Sequence, residues 1–186
     1  IRGFSDNIDY TVNIYSMEKD NFIFRDTSRM NIDGGETSHR GLEIDLAYRF
    51  SQNLRARLAF SYAQHKYENN PTLANNPIKG NEIDTAPETL GGATIDWRLT
   101  DRFQIQFEWV HVGKYYEDPQ NEHRYDGHDL LNLRANYVIS PSTQLSARII
   151  NLTNEDYAER ADYSFGSDRY FVGMPAALYL GIRIDL

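Results

Sequence analysis

Apolar residues return at every second position through residues 41–62. Leu42, Ile44, Leu46, Tyr48 and Phe50 alternate with Glu43, Asp45, Ala47 and Arg49. Ser51-Gln52-Asn53 makes a polar turn, after which Leu54, Ala56, Leu58, Phe60 and Tyr62 alternate with Arg55, Arg57, Ala59 and Ser61. A period of two is the signature of a strand, because successive side chains leave opposite faces of a pleated chain. Each arm runs for about ten residues, longer than an average soluble strand and near the length that crosses a bilayer when tilted. The hairpin thus carries one continuous apolar face and one charged face.

The same grammar repeats along the chain. Ile8, Tyr10, Val12 and Ile14, then Phe22 and Phe24 beyond Glu18-Lys19-Asp20, predict one long strand or two short ones. Residues 25–35 are polar, end in Asp33-Gly34-Gly35, and predict a loop. The stretch 68–86, with Asn69-Asn70-Pro71 and Asn75-Asn76-Pro77, predicts a second loop. Alternation resumes at Ala93, Ile95, Trp97 and Leu99, turns at Thr100-Asp101-Arg102, and returns through Phe103, Ile105, Phe107 and Trp109. A polar segment at 113–127 precedes Leu131, Leu133, Ala135, Tyr137 and Ile139, a turn at 140–143, and Leu145, Ala147 and Ile149. After a further polar segment at 155–173, Leu178, Leu180, Ile182, Ile184 and Leu186 face away from Tyr179, Gly181, Arg183 and Asp185. The pattern predicts an all-β antiparallel meander of about eight long strands.

Its connections alternate in length. Tight turns at 51–53, 100–102 and 140–143 follow long polar loops at 26–35, 68–86, 113–127 and 155–173, the turn and loop asymmetry of outer-membrane barrels. Soluble sandwiches mix loop lengths at both ends. Tyr48, Phe50, Trp97, Phe103 and Tyr137 cluster beside the tight turns, and Phe60, Tyr62 and Trp109 lie a strand length away, as two interfacial belts would. Thirteen Tyr, nine Phe and two Trp among 186 residues supply them.

A formal net charge of −8 argues against binding nucleic acid through its phosphates. With no cysteine there are no disulfides or thiolate metal sites. No run approaches 18 apolar residues, which excludes a membrane helix but not a barrel. The polar face carries Glu43, Asp45, Arg49, Arg55, Arg57, Asp96, Arg98, Gln104, Gln106, Glu108, Arg134, Arg148, Arg183 and Asp185. A closed eight-stranded barrel, whose interior is filled by side chains, would need nearly all of these charges paired. A wider barrel would let them line water or a polar plug, so the chain reads as an arc of a larger barrel.

Several local patterns resemble the TonB-dependent outer-membrane receptors. Asn31 with Arg40-Gly41-Leu42-Glu43 resembles that family's strand entry, and Pro87 opens a strand after a long loop. Gly113-Lys114-Tyr115-Tyr116 with Asp118 and Asn121 is similar to its Gly-x-Tyr…Asp…Asn run. Asn151-Leu152-Thr153-Asn154 with Tyr157 resembles its Asn-Leu-x-Asn/Asp-x-x-Tyr, and Gly173-Met174-Pro175 its Gly-x-Pro before the terminal strand. The family usually closes on an aromatic residue and often has Arg where Ala176 stands; this chain closes on Leu186.

The resemblance implies that residues 1–186 are the C-terminal part of a 22-stranded transmembrane barrel in a Gram-negative outer membrane, with the plug and TonB box outside them. It implies energy-coupled uptake of a scarce ligand, most often a ferric siderophore. It also implies partnership with the TonB complex, with lipid and lipopolysaccharide, and with the barrel-assembly machinery through the last strand. No resident cofactor is expected; an iron chelate would be the cargo. Lys114, Tyr115, Tyr116, His123, Arg124 and Tyr125 form the densest candidate ligand-binding set, since Lys and Arg suit an anionic chelate and Tyr can stack or donate. The acidic residues Glu82, Asp84, Glu117, Asp118, Glu122 and Asp126 lack a calcium-loop spacing.

No catalytic or metal motif appears. His-Glu-x-x-His and Gly-x-Ser-x-Gly are absent, and Ser61 and His65 are separated by about 13 Å along one strand. Two other readings remain: a self-contained outer-membrane barrel, structural or passively porous, and a soluble all-β binding module.

Overall fold

The computed structural model describes residues 1–71 and 77–185. Asn75, Asn76 and the closing Leu186 lie outside the described residues. The strands are β1 (Arg2–Phe4), β2 (Ile8–Arg25), β3 (Asn31–Arg49), β4 (Leu54–Tyr67), β5 (Thr89–Arg98), β6 (Phe103–Val112), β7 (Tyr115–Tyr116), β8 (Arg124–Tyr125), β9 (His128–Ser140), β10 (Thr143–Ile150), β11 (Ala158–Ser164), β12 (Ser167–Val172) and β13 (Ala177–Ile184). One nine-stranded sheet runs β1-β2-β3-β4-β5-β6-β9-β10-β13, and β7-β8 and β11-β12 form separate two-stranded ribbons. Every sheet neighbour is antiparallel. The meander holds eight long strands and one short one, as the alternation predicts.

Register keeps the two faces separate. Leu42, Ile44 and Leu46 stand opposite Tyr62, Phe60 and Leu58, and Ile95 and Trp97 opposite Phe107 and Ile105. On the other face Arg49 meets Arg55, Arg55 meets Asp96, and Gln106 meets Arg134. A one-residue slip would invert every side chain, so two faces this different in polarity fix the pairing.

No second layer covers the apolar face among the described residues. Ile14, Trp97, Phe107, Tyr137, Leu180 and Ile182 all stay substantially exposed. Burial collects instead at the long-loop end, where Phe24, Tyr67 and Ile78 pack with Phe22, Ile32 and Ile83, and Tyr115, Ala158 and Ala161 pack with Val112 and Tyr125.

Three of the expected loops need correction. β3 already begins at Asn31, so the connection expected over 26–35 is a turn of residues 26–30. Gly35 permits this: a Cβ there would sit 2.8 Å from the Phe22 carbonyl, so only glycine lets β2 and β3 stay close above the irregularity between Lys19 and Phe22. The segment 113–127 folds back on itself as β7-β8, and 155–173 contains the hairpin β11-β12. Both are too short and polar to show a two-residue period.

Candidate functional site at the long-loop end

The connections at this end form one assembly, built mostly from backbone groups held by side chains. Asp118 is buried, and its Oδ1 accepts from the amides of Glu122 and His123 (3.1 and 2.8 Å), closing the turn between β7 and β8. Asn121, in the left-handed region (φ 62°), accepts from the Glu82 amide and donates to the Glu82 carbonyl (2.8 and 2.9 Å). Asn81 donates to the Pro119 carbonyl, and the Thr85 amide to the Tyr116 carbonyl. The β4–β5 connection is thereby stitched to the β7-β8 ribbon.

Two phenols hold the ribbon to the β11-β12 hairpin. The Tyr115 hydroxyl accepts from the Ala161 amide and donates to its carbonyl (2.8 and 3.3 Å). The Tyr125 hydroxyl accepts from the Ala158 amide (3.0 Å) and lies 2.8 Å from His128 Nδ1. Burial pushes both phenol pKa values up. His123 stacks on Tyr163 with ring centroids 3.6 Å apart, and its Nδ1 sits 3.0 Å from Asp168 Oδ1. Of the six predicted residues, then, Tyr115 and Tyr125 face the hairpin and His123 joins it from the side. Arg124 pairs with Asp126 in solvent, Lys114 is exposed, and Tyr116 is half-buried.

The strongest charge cluster was not visible from sequence spacing. Asp162 is 4% exposed and takes Arg29 at 3.1 Å, Arg160 at 3.1 Å, and Arg169. Arg29 comes from the β2–β3 turn, 133 positions away, and the Phe165 amide bonds the Thr27 carbonyl beside it. A cleft of about 220 Å³ opens here, lined by Arg29, Asp84, Glu117, Arg160 and Asp162 among others. Tyr67 donates to Asp84 at 2.7 Å. Burial raises the Asp84 carboxyl pKa and pushes the Tyr67 phenol well above its ordinary value.

Glu117 is only 2% exposed, and its Oε2 has no hydrogen-bond partner. Burial, then the charge of Asp168, raises its carboxyl pKa, with His123 opposing. The assembled loops therefore hold this proton more tightly than opened loops would. Their stability falls as pH rises from the ordinary carboxyl range through the raised value, and the penalty is full above it. Amide exchange over residues 115–125, corrected for intrinsic rates, is expected to slow between about pH 7.5 and about pH 5. Glu117→Gln should give most of the slow rate at both values. Equal wild-type protection at both would show that Glu117 does not titrate in this way.

The Asn-Leu-x-Asn motif is a corner. Asn151 (φ 49°) is buried; its amide nitrogen donates to the carbonyls of Glu155 and Met174, and its Oδ1 accepts from the Glu155 amide. Asn154 Oδ1 accepts from the Ala176 amide at the entry to β13. Tyr157 lies flat over Gly173, where a Cβ would come within 2.1 Å of the ring.

On the apolar face at the same end, Trp109 Nε1 and His111 Nδ1 both meet Asp129 Oδ1, at 2.8 and 2.9 Å, and His111 Nε2 lies 2.9 Å from Thr89 Oγ1. The carboxylate is 59% exposed and shared with an indole, which suits a polar anchor for a belt aromatic. Sequence spacing gave no sign of it, because the partners sit on three strands. Among the described residues no group of three or more His, Cys, Asp or Glu is placed to hold a metal ion.

Residues 1–152 match the model of the family described as TonB dependent receptor-like, beta-barrel. The chain belongs to that family. TonB-dependent receptors are transporters rather than enzymes. Among curated proteins, the vitamin B12 transporter BtuB of Photobacterium profundum is 25% identical over 73 residues, covering 39% of this chain and 12% of the relative. Among solved structures, the siderophore receptor PiuA of Acinetobacter baumannii superposes with a TM-score of 0.82 at 17% identity, over 97% of this chain and 26% of that one. The ferric yersiniabactin uptake receptor FyuA of Yersinia pestis gives 0.83 at 15% identity, over 100% and 28%. The ferric citrate transporter FecA gives 0.80 at 17% identity, over 98% and 30%. The chain thus spans less than a third of each of these three solved chains, and its fold is an arc of a large β-barrel of the matched family.

Proposed function

We propose that residues 1–186 form the C-terminal arc of an outer-membrane TonB-dependent receptor that takes up a scarce ligand, most fittingly a ferric siderophore. One observation carries the reading: a single sheet with one face apolar from Leu42 to Phe50 and across its neighbours, and uncovered among the described residues, the other polar and rich in charge, in a chain of this family. Water on both sides would make that apolar face an aggregation surface. A bilayer removes the problem, since Leu42 to Phe50 extends about 26 Å along the strand, the order of a hydrocarbon core. Above Leu42 the apolar face turns polar at Arg40 and Ser38 while β3 continues to Asn31, so its upper part and the loop assembly stand outside the membrane.

The ligand reading rests on the loop assembly and on what the overlaid receptors bind. PiuA, FyuA and FecA are described by siderophore, ferric yersiniabactin and ferric citrate, which favours an iron chelate over a vitamin. With the Tyr115 and Tyr125 hydroxyls engaged by backbone and His123 held by Tyr163 and Asp168, Lys114, Tyr116 and the solvent-facing Arg124 are the groups of the predicted set left to meet cargo. The TonB complex would act through parts of the receptor outside these residues. Lipid and lipopolysaccharide would cover the apolar face, and β13 would present Leu178, Leu180, Ile182 and Ile184 to the assembly machinery.

The test is uptake of radiolabelled ferric chelates by cells carrying the full-length receptor as their sole route. Uptake should require a functional TonB, and Lys114→Ala with Tyr116→Ala should raise the half-saturating concentration about tenfold while the barrel still folds. Uptake that persists without TonB would leave a passive pore. No uptake of any ferric chelate would sink the iron reading.

A further inference from the structure

On the polar face of the sheet, just above the stretch assigned to the membrane, two imidazoles meet. His39 on β3 and His65 on β4 are cross-strand partners 26 positions apart, with Nδ1 atoms 2.8 Å apart and ring centroids 5.0 Å apart. Two imidazolium rings could not make this contact, because each Nδ1 would present a proton; at least one Nδ1 is a bare lone pair. The other three histidines each have an Asp or Tyr partner: His111 meets Asp129, His123 meets Asp168, and His128 meets Tyr125. The far side of His39 is also fixed, since Nε2 lies 3.0 Å from the hydroxyl of the buried Thr37. When that hydroxyl accepts from the Nε2–H, the lone pair of His39 sits on Nδ1, facing His65. Metal-ligating histidines are oriented in this way, one nitrogen free and the other held by a hydrogen bond. Met17 on β2 stands directly opposite His39, and directly opposed residues share a face. A thioether and two imidazoles thus form a row across three strands. The rung below is Tyr15, Gly41 and Ala63, and the Tyr15 ring lies 2.6 Å from where a Gly41 Cβ would stand, so a flat ring and small residues underlie the row. On the rung above, Lys19 holds its ammonium over the Phe22 ring, 4.8 Å from the centroid.

We propose that His39 and His65, with Met17 beside them, bind a free copper(II) ion. The inference goes beyond the uptake reading and needs only the folded sheet. Geometry selects the metal. Imidazole nitrogens bind divalent transition metals at about 2.0–2.1 Å, so two Nδ1 atoms 2.8 Å apart would subtend about 85–90° at an ion they share. That is the cis angle of the square-planar or tetragonal sites that copper(II) and nickel(II) adopt, and copper(II) binds the more tightly of the two. A tetrahedral zinc site would need the nitrogens about 3.3 Å apart. A thioether suits copper as a long, weak axial ligand. With the ion in place His65 keeps its proton on Nε2, and both rings are neutral, as ligation requires. Water fills the remaining positions, so the expected dissociation constant is on the order of 1 μM rather than the nanomolar of a fully ligated site. A ferric chelate has its iron enclosed by the chelator. The row therefore addresses a different ligand class from the cargo proposed for the loops, a bare or loosely held transition-metal ion.

The test is a titration of the full-length receptor, purified in detergent, with copper(II) chloride, followed by electron paramagnetic resonance. The wild type should bind one more copper ion at micromolar concentration than the His39→Gln/His65→Gln variant, and that ion should show coupling to two imidazole nitrogens. Either single glutamine variant should weaken its binding at least about tenfold and leave coupling to one nitrogen. Met17→Leu should weaken it less than about tenfold and keep both couplings, because an axial thioether bond is long and weak. The single variants decide the matter if the double variant does not fold, and heat-dependent gel migration shows which are folded. Equal copper binding in the wild type and in folded histidine variants overturns the proposal, as does coupling to a single nitrogen in the wild type. Displacement of the ion by an equal concentration of zinc(II) would mark a tetrahedral site and overturn the copper assignment. Copper binding needs no transport, so a receptor that binds copper but takes up no ferric chelate refutes only the uptake reading.

Discussion

Gly127→Ala is expected to block correct closure of the β6–β9 corner, with a cost of about 3–5 kcal/mol from backbone strain plus overpacking. Gly127 has φ +86°, and a Cβ there would lie 2.3 Å from the Val112 carbonyl oxygen and 2.7 Å from the Gly113 carbonyl carbon. Both are backbone atoms at the top of β6, where Val112 pairs with His128 and the Gly113 amide bonds the Thr89 carbonyl. They cannot swing aside as a side chain would. The left-handed backbone adds its own penalty for any residue with a Cβ. Gly80 and Gly166 also have positive φ but open space around the missing Cβ, so alanine there should cost only about 1–2 kcal/mol. Heat-dependent gel migration of the full receptor reports the folded fraction. The account fails here if Gly127→Ala folds as well as Gly80→Ala.

Asp162→Ala is expected to unfasten the loop assembly without unfolding the sheet. Removing the carboxylate leaves Arg29, Arg160 and Arg169 facing one another around a buried position. Charged hydrogen bonds of this kind contribute roughly 1.5–3 kcal/mol each when intact. The arginines are themselves 27–53% exposed, so water recovers part of the loss and about 2–3 kcal/mol in total is a fair expectation. That is enough to free the β2–β3 turn from the β11-β12 hairpin, since among the described residues the backbone hydrogen bond remaining between them is the Phe165 amide on the Thr27 carbonyl. Trypsin should then cut after Arg29, Arg160 and Arg169 in intact outer membranes, where the wild type should resist, and Asp162→Asn should fall between. Unchanged resistance in Asp162→Ala would mean that the cluster holds nothing shut.

What could be read from sequence was what repeats. The alternation of Leu42 to Phe50 against Leu54 to Tyr62 names strand, face and register together, because an apolar face tolerates no slip. The same logic found β5, β6, β9, β10 and β13. It failed where period and polarity part company. At 31–35 two glycines and an aspartate look like a turn, yet Gly35 is there to let β3 run close beneath Phe22. Ribbons β7-β8 and β11-β12 are short hairpins held by Tyr115, Tyr125 and Asp118, and their few buried positions mix Tyr115, Ala158 and Ala161 with the polar Asp162 and Ser164, so no two-residue period is written. The loop charges were visible as composition only. That Asp162 would gather Arg29 and Arg169, or that Glu117 would be buried without a partner for one oxygen, depends on how four connections fold together. The Asn-Leu-x-Asn stretch was recognised as a motif, but its purpose, a buried asparagine closing the corner between β10 and β13, needed coordinates.

The most direct test of the membrane-spanning arc is a spin-label scan of residues 41–62 in the full receptor in native lipid, to which residues 1–186 contribute no cysteine of their own. Oxygen, which concentrates in lipid, should relax labels at Ile44, Leu46, Leu58 and Phe60 strongly and those at Glu43, Asp45, Arg57 and Ser61 weakly, with a period of two along both strands. A flat profile, or strong relaxation at the charged positions, would contradict the assignment of the apolar face to the bilayer and with it the receptor account.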